Sequence, residues 1–256
     1  MKAGAGPLRL AIVCEARRDF DLASTLIDRV LLEKLAWLDG LDLSLFRCWQ
    51  GFRGPEPFLR WDKVHEVARS EGLRVAGRFG GEPGAMDAAA ARKALLLFAT
   101  RPVGELPHAV VLIRDTDGHI ERCKGLQQAR TEPNRIWPFP VLIGAQHCKL
   151  ESWLLAGFQP SSGAESQQLA LLRQQLGFHP CEQSEWLASS DDAVSSKRSA
   201  KKVLSLLSVG DLERENRGFL ETPLSVLRGR GSGCGLTNFL DYAEKRIVSL
   251  LRSRVA

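Results

Sequence analysis

A chain of 256 residues, 44% of them hydrophobic, can bury a substantial core, which excludes disorder throughout and predicts one large domain, or one domain with a helical extension. No run approaches the roughly 18 uninterrupted apolar residues of a membrane span, and the N-terminus leads into a strand-like segment without signal-peptide architecture, so a cytoplasmic protein with no membrane partner is expected. The net charge of +5 suits a polyanionic partner.

In chain order, Leu8 to Cys14 reads as a buried strand that stops at Glu15, and Asp21 to Leu38 as an amphipathic helix with Leu22, Leu26, Ile27, Val30, Leu31 and Leu35 on one stripe. Leu41 to Trp49 is the second expected strand, broken by the glycines and prolines of 51–57. A helix over Asp62 to Ser70, a short strand over Leu73 to Ala76, a glycine-rich connection over 77–84 and a helix over Ala85 to Thr100 follow. Ala109 to Ile113 is an unbroken apolar run, the signature of a strand buried on both faces, and it ends at Arg114-Asp115-Thr116-Asp117-Gly118. A polar helix (Ile120 to Arg130), a proline-rich loop (133–140), a strand (Val141 to Ala145) and a helix (Cys148 to Ala156) complete this part. Beyond Ser161 the apolar stretches are helix-like, at Gln167 to Leu176, Ser199 to Leu207 and Leu236 to Leu251. The expected fold class is α/β, a largely parallel sheet flanked by helices over residues 1–157, with a C-terminal helical extension over 158–256.

The 6 cysteines stand singly, with no Cys-x-x-Cys pair, which points to reduced thiols. His147-Cys148 and His179-Pro180-Cys181 come nearest to a zinc pattern, but no second pair shows regular spacing. Cations gather near the acids: Arg17 and Arg18 after the first strand, Arg114 before the aspartates, Arg122 and Lys124 after them, and Lys197, Arg198, Lys201 and Lys202 further on.

The acids carry the functional argument. Glu15 follows the first strand, Asp115 and Asp117 end the central one, and Glu151 comes shortly after the last. In an open parallel sheet the carboxyl ends of the strands converge on one crevice. Two carboxylates spaced i, i+2 repel unless a cation relieves them, and Mg²⁺ takes one or two carboxylates together with substrate phosphate oxygens. An acid at a strand end also serves as a helix N-cap or a solvated surface group, so each position alone is weak and the combination carries the weight.

The order strand, glutamate, helix, and then a later strand ending in Asp-x-Asp, resembles the TOPRIM domain of topoisomerases, primases and OLD-type nucleases. The match is carried by Cys14-Glu15-Ala16-Arg17-Arg18-Asp19, by Asp115-Thr116-Asp117 and by Glu151-Ser-Trp-Leu-Leu-Ala156, and it is nearest to stand-alone bacterial OLD-type nucleases of defence systems. It covers about residues 8–158. Two positions depart from the family pattern: Ala16 stands where a glycine is usual, and Asp19 where a glutamate is usual.

The resemblance implies Mg²⁺- or Mn²⁺-dependent hydrolysis of DNA or RNA. Glu15 is cast as general acid/base or metal ligand, Asp115 and Asp117 as ligands of the principal ion, Asp19 and Glu151 as ligands of a second, and Lys149 as the cation on the developing phosphorane, with His147, Lys124 and Lys201 as rivals for that role. It also implies a separate ATPase partner and an antiviral setting; a homo-oligomer is a further expectation. Topoisomerase chemistry is not expected, since the sole tyrosine, Tyr242, lies in the last helix.

Two other classes remain open at this point: a metal-dependent phosphotransferase or phosphatase using Asp115 as nucleophile, and a binding or regulatory module that keeps the fold without activity. Gly229 to Gly235 precedes a helix and offers amides to a phosphate, but no P-loop follows. The tryptophans read as core or interface anchors, with Trp61 and Trp137, both beside loops, as candidates for base stacking.

Overall fold

The computed structural model describes residues 6–133, 136–189 and 196–255. In chain order the elements are β1 (Leu8–Cys14), α1 (Arg17–Lys34), β2 (Arg47–Gln50), β3 (Leu59–Arg60), α2 (Trp61–Ser70), β4 (Arg78–Phe79), β5 (Glu82–Pro83), α3 (Ala88–Ala99), β6 (Ala109–Asp115), α4 (Ile120–Arg130) and β7 (Val141–Gln146). Helices follow: α5 (Leu150–Gly157), α6 (Gly163–Leu176), α7 (Ala200–Ser208), α8 (Leu212–Leu220), α9 (Leu224–Arg230) and α10 (Leu236–Tyr242), the last running through a π-helical stretch (Ala243–Val248) into α11 (Ser249–Val255). The main sheet has the order β2-β1-β6-β7, with β3 also beside β1. Strand β1 is parallel to β2, β3 and β6. The chain is therefore α/β, with a mostly parallel sheet flanked by helices, compatible with a Rossmann-like fold.

Contacts divide the chain into two compact units, one of Met1–Arg114, Ile120–Gly144 and Asp241–Ala256, the other of Asp115–His119 and Ala145–Leu240. This division differs from a single boundary at 157/158, and side-chain packing gives the reason. Helix α5 packs on α7, α8 and α9, burying Trp153, Leu154 and Leu155 there. The π-helical stretch instead lies along α1, where Ile247 and Val248 are buried.

In the first unit, β1 is buried at every position except Arg9, which is partly exposed, and Ala109 to Ile113 of β6 are fully buried. That burial on both faces is why these strands read as unbroken apolar runs. Helix α1 starts four residues earlier than its hydrophobic stripe suggests, because Asp19 Oδ2 accepts the Ala16 N–H at 2.8 Å and satisfies an otherwise orphan amide.

The short strand expected over 73–76 is absent. The Ala76 and Arg78 carbonyls accept from the Arg92 guanidinium at 2.5 and 2.7 Å, and the chain pairs instead as the β4–β5 hairpin within the segment expected as a glycine-rich connection.

In the second unit the described residues beyond Gly157 form helices, with one isolated bridge, Ala188 to Ser199. Two of these helices were missed by hydrophobic pattern. Helix α8 is announced by Asp211, whose Oδ1 accepts from the Glu213 and Arg214 amides, a cap legible in Asp-Leu-Glu-Arg. Helix α9 follows Pro223. Helices α5 and α8 cross so closely that a Cβ on Gly157 would overlap the Gly218 carbonyl.

Candidate functional site

Asp115 is the last residue of β6, and in the second unit its Oδ1 accepts the Leu150 N–H, at the start of α5, at 3.0 Å. The next residue faces the other way: Thr116 is 2% exposed, its N–H donates to Gln146 O at 3.0 Å, and its Oγ1 lies 3.0 Å from His147 Nδ1. Thr116 is thus buried just past the strand, with Asp115 and Asp117 half-exposed on either side of it.

The Asp117 N–H donates to Cys148 O at 2.8 Å. Asp117 and Gly118 both adopt left-handed conformations, with φ of 49° and 77°, which is why a small polar residue and a glycine occupy this turn. The α5 N-cap, Lys149, is extended (φ −144°, ψ 172°), and its Nζ lies 3.9 Å from Asp117 Oδ1. Glu151 sits half-exposed in the first turn of α5, where the positive end of a helix favours carboxylates. Burial raises the Cys148 thiol above its ordinary value, with Asp115 and Glu151 adding to the effect, so this cysteine stays protonated near neutrality.

The first unit holds the other acids. Parallel pairing sets Val13 of β1 opposite Leu112 of β6, which carries Glu15 and Arg114 to the same end of the sheet. Arg114 Nη1 meets Glu15 Oε1 at 2.8 Å, and Arg114 Nε meets Asp87 Oδ2, also at 2.8 Å. Arg122 Nε is 3.7 Å from the same Asp87 oxygen. Sequence reasoning missed Asp87; its signal is an aspartate directly before the alanine-rich start of α3. Ala16 is extended (φ −143°, ψ 171°), so the turn after Glu15 needs no glycine.

Among the described residues, no three His, Cys, Asp or Glu side chains group in a way that could hold a metal ion. Of the acids expected as ligands, Glu15 and Asp19 belong to the first unit and Asp115, Asp117 and Glu151 to the second. Glu15 is bonded to Arg114, and Asp19, 5% exposed, caps α1. The pair Asp115 and Asp117 fits a narrower requirement. Mg²⁺ accepts one or two carboxylates and completes its shell with water and substrate phosphate.

Other candidates resolve differently. Trp61 is 6% exposed and its Nε1 donates to Ile113 O at 2.6 Å, so it anchors the core and offers no stacking face. Gly233 packs against the Glu185 carboxyl group, which sets an acidic side chain against the 229–235 loop. Lys124 pairs with Glu121 at 3.5 Å on the surface, and Lys201 is exposed on α7. Of the cations considered for the phosphorane, Lys149 lies 3.9 Å from Asp117 Oδ1. No protein-family model, curated protein or solved structure matches this chain.

Proposed function

We propose that the chain is a Mg²⁺- or Mn²⁺-dependent phosphodiester hydrolase of TOPRIM type that cleaves DNA or RNA. One observation supports this reading above the others: two carboxylates of a single rigid turn, Asp115 and Asp117, flank a buried Thr116, with the Leu150 amide on one and Lys149 beside the other.

Asp115 and Asp117 hold the ion in this reading. When bound, it supplies Lewis-acid polarisation of a phosphoryl oxygen and a more acidic water. The Leu150 N–H fixes the Asp115 carboxylate in one orientation, so little reorganisation accompanies substrate binding. Lys149, extended at the N-cap and about a third exposed, neutralises charge developing on the phosphoryl oxygens. The Thr116 hydroxyl and His147 ring lock the turn between the two acids. The resemblance assigns Glu15 as general acid/base or metal ligand, and within the first unit it pairs with Arg114. From the resemblance we take the remaining parts of the proposal, a separate ATPase that governs activity and an antiviral setting.

The test is cleavage of plasmid DNA and of RNA by the purified chain with Mg²⁺ or Mn²⁺, against EDTA and against Asp115→Asn. Divalent-dependent cleavage lost in the variant is expected. Equal cleavage by both proteins overturns the reading.

A further inference from the structure

A second feature of the first unit is a groove of about 1110 Å³ that includes none of the acids above. Among the described residues, its charged lining is Arg130 of α4 with Lys245 and Arg246 of the π-helical stretch. Glu244, on the same stretch, is drawn to Lys34 at 3.1 Å, while Lys245 and Arg246 are exposed.

Trp137, Phe139 and Tyr242 add rings to the wall, among prolines, hydroxyl residues and aliphatic side chains. Trp137 stacks on Phe139 with an interplanar angle of 11° and ring centroids 6.4 Å apart, and its Nε1–H donates to Ala129 O at 3.0 Å. Its indole N–H is thus satisfied inside the protein, and the ring is held in one orientation. Across the same lining, the Arg130 guanidinium lies 5.0 Å from the Tyr242 ring centroid.

Rigid aromatic faces beside a row of cations are how proteins hold unpaired nucleic-acid strands, since every base has a face to stack and every linkage a phosphate to neutralise. A duplex hides its base faces. An acidic peptide uses the cations and leaves the rings idle, and an apolar one leaves the cations unpaired. We infer that this groove binds single-stranded nucleic acid, with bases stacked on Trp137 and Tyr242 and phosphates against Arg130, Lys245 and Arg246. The choice of a polynucleotide rests on the hydrolase reading above.

Fluorescence anisotropy with a labelled oligothymidylate tests this on the whole chain in EDTA, where no metal-dependent cleavage intervenes. Binding to the single strand and much weaker binding to a blunt duplex are expected. The affinity should fall with salt on a log–log slope of about −2, at roughly 0.7 per phosphate for three cations. Trp137→Leu should weaken binding by roughly ten-fold or more. The exposed double variant Lys245→Ala/Arg246→Ala, which keeps the fold testable if Trp137→Leu does not, should make the slope shallower by about 1.4.

No binding by the wild type, equal affinity for duplex, or variants that bind like the wild type would overturn the assignment. So would sedimentation showing that the double variant dissociates a dimer, since a second copy would then fill the groove. Hydrolysis of bis(p-nitrophenyl) phosphate separates this result from the hydrolase reading. Groove variants should retain it and Asp115→Asn should lose it, while strand binding without any hydrolysis would sink only the hydrolase reading.

Discussion

The main-chain N–H of Leu150 donates to Asp115 Oδ1 at 3.0 Å, so the first turn of α5 holds a carboxylate at the end of β6. Asparagine in place of Asp115 keeps an acceptor oxygen and loses the charge, whereas alanine loses both. Asp115→Asn should melt close to the wild type, and Asp115→Ala should lose about 1 kcal/mol from the uncapped amide. Both should lower kcat/KM by more than the roughly 10–100-fold typical of an outer-shell partner. Thermal melts and nuclease rates read the two effects separately, and an active Asp115→Asn protein would refute the assignment.

Lys149 and Asp117 lie 3.9 Å apart with about a third of each side chain exposed. A pair of that kind contributes at most about 1 kcal/mol to stability. Lys149→Ala should therefore leave the melting temperature nearly unchanged while kcat falls by about a hundred-fold, the scale of one lost electrostatic contact to a transition state. Lys149→Arg should recover part of the rate. A variant with unaltered kinetics would remove Lys149 from the chemistry.

Gly218 and Gly157 bring α8 and α5 into main-chain contact. A methyl group at Gly218 meets the Leu154 carbonyl at 2.9 Å, backbone that gives only by separating the helices. Gly218→Ala should cost about 1–3 kcal/mol, as overpacking does, and chemical denaturation would measure the loss. No change in the denaturation midpoint would mean that the helices separate at little cost.

His108 is held well below its ordinary value, at about 4, chiefly by burial and then by the nearby Arg254 and Arg9 charges. Its Nδ1 accepts the Arg9 N–H at 2.8 Å, and its Nε2 lies 2.7 Å from Arg254 Nη1 of α11. A histidine with a depressed pKa contributes stability above its unfolded value, near 6.5. That contribution is lost as pH falls through the interval down to about 4. Acid titration of the unfolding free energy should show this slope in the wild type and a shallower one in His108→Gln, and identical slopes would exclude His108 as the source.

Much of the sheet was legible because its strands are buried on both faces. Leu8 to Cys14 and Ala109 to Ile113 show unbroken apolar runs for that reason, and the aspartates at the end of the second run stand out against it. The 73–76 segment misled for a local cause. Its apolar residues resemble a strand, yet the Arg92 side chain takes up the neighbouring carbonyls that strand pairing would need.

Residue pattern alone established the α/β class, the Asp115–Asp117 turn and the helical character of the later chain, since each follows from the local period of apolar and polar residues. Tertiary structure decided who meets whom. Arg114 reaches Glu15 across 99 positions and Asp87 across 27, Asp115 meets the Leu150 amide 35 positions away, and Trp137 lines a groove with Arg246 of the closing helix. Those partners are set by strand register and helix packing, which bring distant side chains within a few ångströms and leave no mark in the spacing of either segment.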